Sequence, residues 1–178
     1  MNAASLIRLL GNQLRPLIES SYGELRSNLG TSHYHRLSNE ELFKRAQAVF
    51  QNLSAWLAAP DPAAVHRYGE DLGKRRFAEG IPLGQVVLAL ILQEKHFWEF
   101  VRSQLQEAPD EKLRLLVAEF FARTIYSTAL GFSEALAESQ RKQAPRPAPP
   151  TPPPARTAPA VQNDLPVSRS GEIGEQGG

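Results

Sequence analysis

The chain contains no cysteine. Disulfides, thiolate metal sites and a cysteine nucleophile are therefore excluded. Net charge is also scarce, +1 over 178 residues, so neither a general nucleic-acid surface nor a polybasic membrane anchor is expected. No long apolar run occurs: the longest unbroken one, residues 86–92, is far short of the roughly 20 residues that span a bilayer. Arg8 and Arg15 interrupt the apolar residues at the N-terminus, unlike a signal peptide, and a cytoplasmic location is the expectation. There is no glycine-rich phosphate loop, no G-x-S-x-G and no nucleophile–base–acid spacing. The sequence thus predicts no enzyme, and nothing in it selects a cofactor.

Aromatic residues are absent from 144–178, where nine of the fourteen prolines fall. Such a composition buries too little apolar surface to offset the entropy of ordering. The expected organisation is a helical domain over 1–143 and a disordered, proline-rich tail over 144–178, with polyproline II interspersed with coil. Arg146, Pro149 and Pro152 have an R-x-x-P-x-x-P spacing that suits a proline-reading domain. In so proline-dense a segment the match has little specificity, and a plain linker is the blander reading.

What the first 143 residues hold is helix periodicity, and no strand pattern competes with it. The first predicted helix covers about 3–28, with Ile7, Leu10, Leu14, Leu17 and Leu25 at helical spacing. Pro16 predicts a kink there or a split into two helices. A loop, 30–37, carries His33, Tyr34 and His35. Those histidines are weak metal ligands without further donors nearby, so a solvated loop is expected. Ser38 and Glu41 fit a capping box that opens a second helix, closed by Pro60. Asp61 caps a third with Pro62 in its first turn, and Gly80 stops it. A fourth helix runs from about Pro82 to 107. Pro109 and Asp110 separate it from a fifth, 111 to about 140. The fold class is therefore all-α, a bundle of about five helices.

Helices three and four, joined by Gly80-Ile81-Pro82, read as an antiparallel hairpin in which Gly69 and Gly73 permit close packing near Leu90. On a wheel of about 100° per residue, Arg76 and Glu94 fall within apolar arcs. An unpaired buried charge costs several kcal/mol, so each needs a partner or a shifted pKa. They do not suit each other, because hairpin register leaves about 10 Å of axial gap between them. Tyr68 and Arg123 are the partners considered for Glu94. The alternatives are a structural ion pair, a ligand or signal site at Arg76, Glu94 and Tyr68, and a charge that snorkels to water. His96 reads as outward-facing on helix four, and His66 has no evident partner.

The fifth helix has a wide apolar arc that includes Val117, Phe120, Phe121 and Leu136. Opposite it run Leu115, Ala122, Tyr126, Ala129, Ser133 and Ala137, within roughly 80° of one another. A solvated face is normally richer in Lys and Glu. Two readings fit this strip: a homodimer interface, or cover by helix one or two within the monomer.

The segment Tyr68-Gly69-Glu70-Asp71-Leu72-Gly73-Lys74-Arg75-Arg76-Phe77-Ala78-Glu79-Gly80-Ile81-Pro82-Leu83, running on through Val86-Val87, Ala89-Leu90 and Trp98, resembles the RsbRD N-terminal domain family. These are the sensory N-terminal domains of RsbT co-antagonist (RsbR-type) stressosome proteins and related bacterial signalling proteins. Arg76, Gly80, Leu83 and Trp98 are the matching positions. The resemblance covers about residues 5–140, with its distinctive part near thirty residues long. It implies a non-catalytic helical input domain that acts through a protein partner in a signalling system. Such domains are usually fused to an output module such as a STAS domain, a histidine kinase or a DNA-binding domain. Here a proline-rich stretch follows instead, which leaves action alone, in trans or as part of a longer chain open. The other readings are a scaffold or adaptor working through the tail, and a small-molecule-binding protein with a pocket near Glu94.

Overall fold

A computed structural model describes residues 2–104 and 108–143. The expected tail and its arginine–proline spacing lie outside them. Among the described residues there are six α-helices rather than five: α1 (Ala3–Ser20), α2 (Tyr22–Ser27), α3 (Asn39–Ala58), α4 (Pro62–Ala78), α5 (Leu83–Gln104) and α6 (Glu111–Gln143). A 3-10 segment, Leu29–Arg36, joins α2 to α3. No strand occurs among the described residues, so the fold is all-α.

The extra helix comes from a break at Ser21. The hydroxyls of Ser20 and Ser21 donate to the carbonyls of Leu17 and Ile18, both at 2.7 Å, competing with the backbone for those acceptors. Pro16 stays inside α1, but Gln13, three residues earlier, leaves helical geometry at φ −124° and ψ 22°. Proline cannot donate to the carbonyl four residues back and its ring crowds that group, so the distortion falls on the preceding turn. The loop expected at 30–37 is the 3-10 segment, with Tyr34 buried at its centre.

Local signals place the other boundaries. Ser38 and Glu41 form the reciprocal capping box. The Asp61 side chain accepts from the amides of Ala63 and Ala64 at 2.9 and 3.1 Å. Asp110 accepts from the amide of Leu113 at 2.7 Å. Gly80, at φ +70°, ends α4 in a Schellman motif: its N–H bonds to the Phe77 carbonyl, the Ile81 N–H bonds to that of Arg76, and Ile81 is buried.

The main core joins α1, α3, α4, α5 and α6 around Leu53, Phe97, Val117, Phe120 and Phe121. A smaller cluster beneath the 3-10 segment holds Leu25, Tyr34, Ile81 and Val86. Trp56 staples α3 to α6 by donating its indole N–H to the Leu116 carbonyl at 2.9 Å.

The glycine pair does mark close packing, but the partner is α6 and not α5. A Cβ at Gly69 would stand 2.5 Å from the Cβ of Ser127, and one at Gly73 would stand 2.6 Å from the amide of Phe132. From the other side, a Cβ at Gly131 would stand 2.6 Å from the Cα of Glu70. Gly73 is therefore not seated at Leu90. The reason is surface shape: α6 offers the small side chains Thr124, Ser127, Thr128 and Gly131, all buried, whereas the inner face of α5 is bulkier, with Val86, Leu90, Leu92, Gln93, Phe97 and Val101 beside the single small residue Ala89. Contacts advance together along the two helices, from His66–Ser127 to Lys74–Glu134, so α4 and α6 run parallel. The α5 helix is the antiparallel return between them, since Trp98 and Glu94 lie beside the early residues of α6. Leu136, expected on a buried arc, is exposed, as is Ile91 of α5.

Candidate functional site

Arg76 is buried on α4 at 8% exposure, as its wheel position predicts. Its partner is Glu79, the C-cap residue of α4 three positions on: Arg76 Nη1 donates to both carboxylate oxygens at 2.9 Å. Glu79 also accepts from Arg45 Nη1 of α3 at 2.6 Å. One carboxylate thus joins two guanidinium groups from different helices. Burial pushes the Glu79 carboxyl upward, but the hydrogen bond from Arg45 and the two positive charges outweigh it and hold it below the ordinary range. Burial lowers Arg76, as does the charge of Arg45, with Glu79 acting against both. Tyr34 faces this group from the 3-10 segment; burial raises its phenol, and the two arginines pull the other way. Neither Glu79 nor Tyr34 was singled out from the sequence. Glu79 was legible, three residues after Arg76 on one helix face. Tyr34 had no periodic context to mark it.

Glu94 is half-buried and stands apart from that network. It lines an open cleft of about 620 Å³ between α5 and α6 with Trp98, Pro109, Glu111, Arg114 and Leu115. Burial raises its carboxyl, and a hydrogen bond from Trp98 offsets part of the effect. Neither partner considered from the sequence serves it. Arg123 pairs with Glu119 at 2.7 Å, and the Tyr68 hydroxyl is buried with no hydrogen-bond partner among the described residues. Burial pushes the Tyr68 phenol up to about 12. Arg76, Glu94 and Tyr68 therefore form no common site.

The histidines also differ from expectation. His96 does not face solvent: it lies between two carboxylates, with Nε2 2.8 Å from Glu24 of α2 and Nδ1 3.1 Å from Glu99. Lys95 reaches the same Glu24 oxygen at 2.7 Å. The short α2 helix, merged with α1 in the sequence reading, is what covers this side of α5. His66 has partners too, Ser127 Oγ at 2.9 Å and Glu70 at 3.2 Å. His33 hydrogen-bonds through its amide to Gln85, and a His35 ring nitrogen sits 3.0 Å from the Asn28 carbonyl.

On α6, Leu115 and Tyr126 are each 63% exposed. Ala122, Ser133 and Ala137 are exposed and Ala129 is half-buried. Cover by helix one or two within the monomer is thereby excluded. The helix as a whole is also long and apolar enough to cross a membrane, with a mean hydropathy of 1.2 over its most apolar window. A reading based on unbroken runs does not register this. Its apolar face packs into the bundle, as that of a core helix does.

No known protein family, curated protein or solved structure matches this chain.

Proposed function

We propose that this chain is a non-catalytic signal-input domain that works through protein–protein contact, as its resemblance to RsbRD N-terminal domains implies, in the bacterial cytoplasm. The observation that supports it is the uncovered strip on α6. From Leu115 to Ala137 the strip runs about 33 Å at 1.5 Å per residue. Its small residues admit a second helix closely, and Tyr126 supplies an amphipathic anchor. A second copy of the chain is the simplest occupant, because a two-fold axis reuses one patch on both subunits. Shifting α6 would then carry a signal to whatever follows residue 143 or to a partner bound in trans. Near-zero net charge suits a protein partner better than a nucleic acid.

One observation favours a second reading, that of a small-molecule-binding protein. The Glu94 cleft shares Leu115 with the strip, so a bound molecule would touch the same helix face. The adaptor reading, through residues 144–178, is separated from both by deletion of that segment.

Sedimentation of the full chain tests the proposal. The expected result is a concentration-dependent dimer that Tyr126→Glu returns to monomer with unchanged helical circular dichroism. A wild-type chain that stays monomeric at high micromolar concentration overturns the α6 mode. Partner capture that is lost on deleting 144–178 but kept in Tyr126→Glu would favour the adaptor.

A further inference from the structure

Between the 3-10 segment, α3, α4 and α5 lies a cavity of about 20 Å³, lined by Tyr34, Arg45, Arg76 and Gln93 with Leu72 and Leu90 among its apolar walls. Gln93 is 8% exposed, and its buried Oε1 has no hydrogen-bond partner among the described residues. An unmade hydrogen bond at a buried carbonyl costs about 1–3 kcal/mol. Arg76 faces the same space, and of its five N–H donors those on Nη1 go to Glu79.

We propose that this cavity is a binding site for a single water molecule, which donates to Gln93 Oε1 and accepts from Arg76 or Tyr34. Size selects the ligand. A water needs roughly 10–15 Å³ of such volume together with two to four polar partners, and the pocket supplies both, with little room for a phosphate or an organic molecule. Chemistry selects it as well. An anion would suit Arg76 and Arg45, but both guanidinium groups are already bonded to Glu79, and Gln93 Oε1 would repel it. Water both donates and accepts, so it satisfies the Gln93 amide in either orientation. The bound water joins the 3-10 segment, α4 and α5 at a place where α4 and α5 have few direct contacts of their own.

Oxygen-17 relaxation dispersion of the full chain and of Gln93→Met tests this. The expected result is the loss of one long-lived water in the variant, whose thioether needs no donor and fills the space. Equal dispersion from two folded proteins overturns the proposal. Should Gln93→Met fail to fold, the wild-type chain decides: a nuclear Overhauser effect between water and the Gln93 side-chain amide protons is expected, and its absence overturns the site. Titration with chloride and phosphate should leave the Arg76 Nε resonance unmoved. A saturable shift there would assign the cavity to an anion instead and overturn the water.

Discussion

At the scale of single residues, Glu79 and Glu94 are carboxylates with opposite linkage to folding. Glu79 is held below the ordinary carboxylate range by Arg45 and Arg76. Its contribution is therefore complete above the unfolded pKa and is lost as pH falls through the depressed folded value. Glu79→Gln should destabilise by about 1–2 kcal/mol at neutral pH, discounted from a fully buried pair because Glu79 is partly solvated. The difference from wild type should shrink as urea titrations move from about pH 6 to about pH 3. Glu94 runs the other way. Burial raises its carboxyl, so the folded state binds the proton more tightly and stability declines as pH rises from the unfolded value through the folded one. Glu94→Gln should therefore be neutral at low pH and neutral to stabilising at pH 7; a marked loss at pH 7 would mean that the ionised carboxylate has a stronger partner than Trp98. Sequence alone marked Arg76 and Glu94 as charges among apolar neighbours, because helical periodicity is local. It did not show how their charges are satisfied. For Glu94 that depends on which helices meet. For Arg76 the partner is local, three residues on at the C-cap of α4, and hairpin register does not point to it.

At the scale of elements, the parallel α4–α6 pair is the tightest contact in the bundle. Gly131 meets the backbone of Glu70, which has no flexible side chain to move aside. Gly131→Ala should cost about 2–3 kcal/mol or more through overpacking, despite a gain of up to about 1 kcal/mol in helix propensity. Gly11→Ala is the control: it lies within α1, and a Cβ there meets nothing within 4 Å, so it should be neutral or slightly stabilising. Thermal or urea unfolding of both variants checks the contrast, and equal effects would contradict the packing. The caps at Ser38, Asp61, Gly80 and Asp110 were legible because each satisfies backbone groups within a few residues. The pairing of α4 was not. Gly69 and Gly73 announce a close approach without naming the partner, and the short turn at Gly80 made α5 look like the natural one. The complementary cue is Thr124, Ser127, Thr128 and Gly131 on α6, small buried residues that carry no hydrophobic signal of their own.

At the scale of the whole molecule, α6 outlasts the bundle that supports it. Lys74 of α4 meets Glu134 at 3.0 Å, and α4 ends at Ala78, so in this parallel register little more than the last turn of α6 passes beyond its partner. Leu136 is exposed for another reason: it lies about 120° around α6 from Thr124, off the face that the bundle buries. Backbone hydrogen bonds at this end of α6 are shielded by little apolar contact and open locally at low free energy. Amide exchange at low protein concentration should therefore show strong protection from Val117 to Gly131 and a steep fall after Glu134. Self-association adds a distinct signature. If a second copy docks on the strip, raising the concentration should slow exchange between Ala122 and Ala137, including the exposed final turns, and Tyr126→Glu should remove that increment while leaving Val117 to Gly131 protected. Protection that is uniform to Gln143 at the lowest concentration would mean that the end of α6 is held by something other than a second copy. Protection that does not change with concentration would deny the strip its role as the contact face.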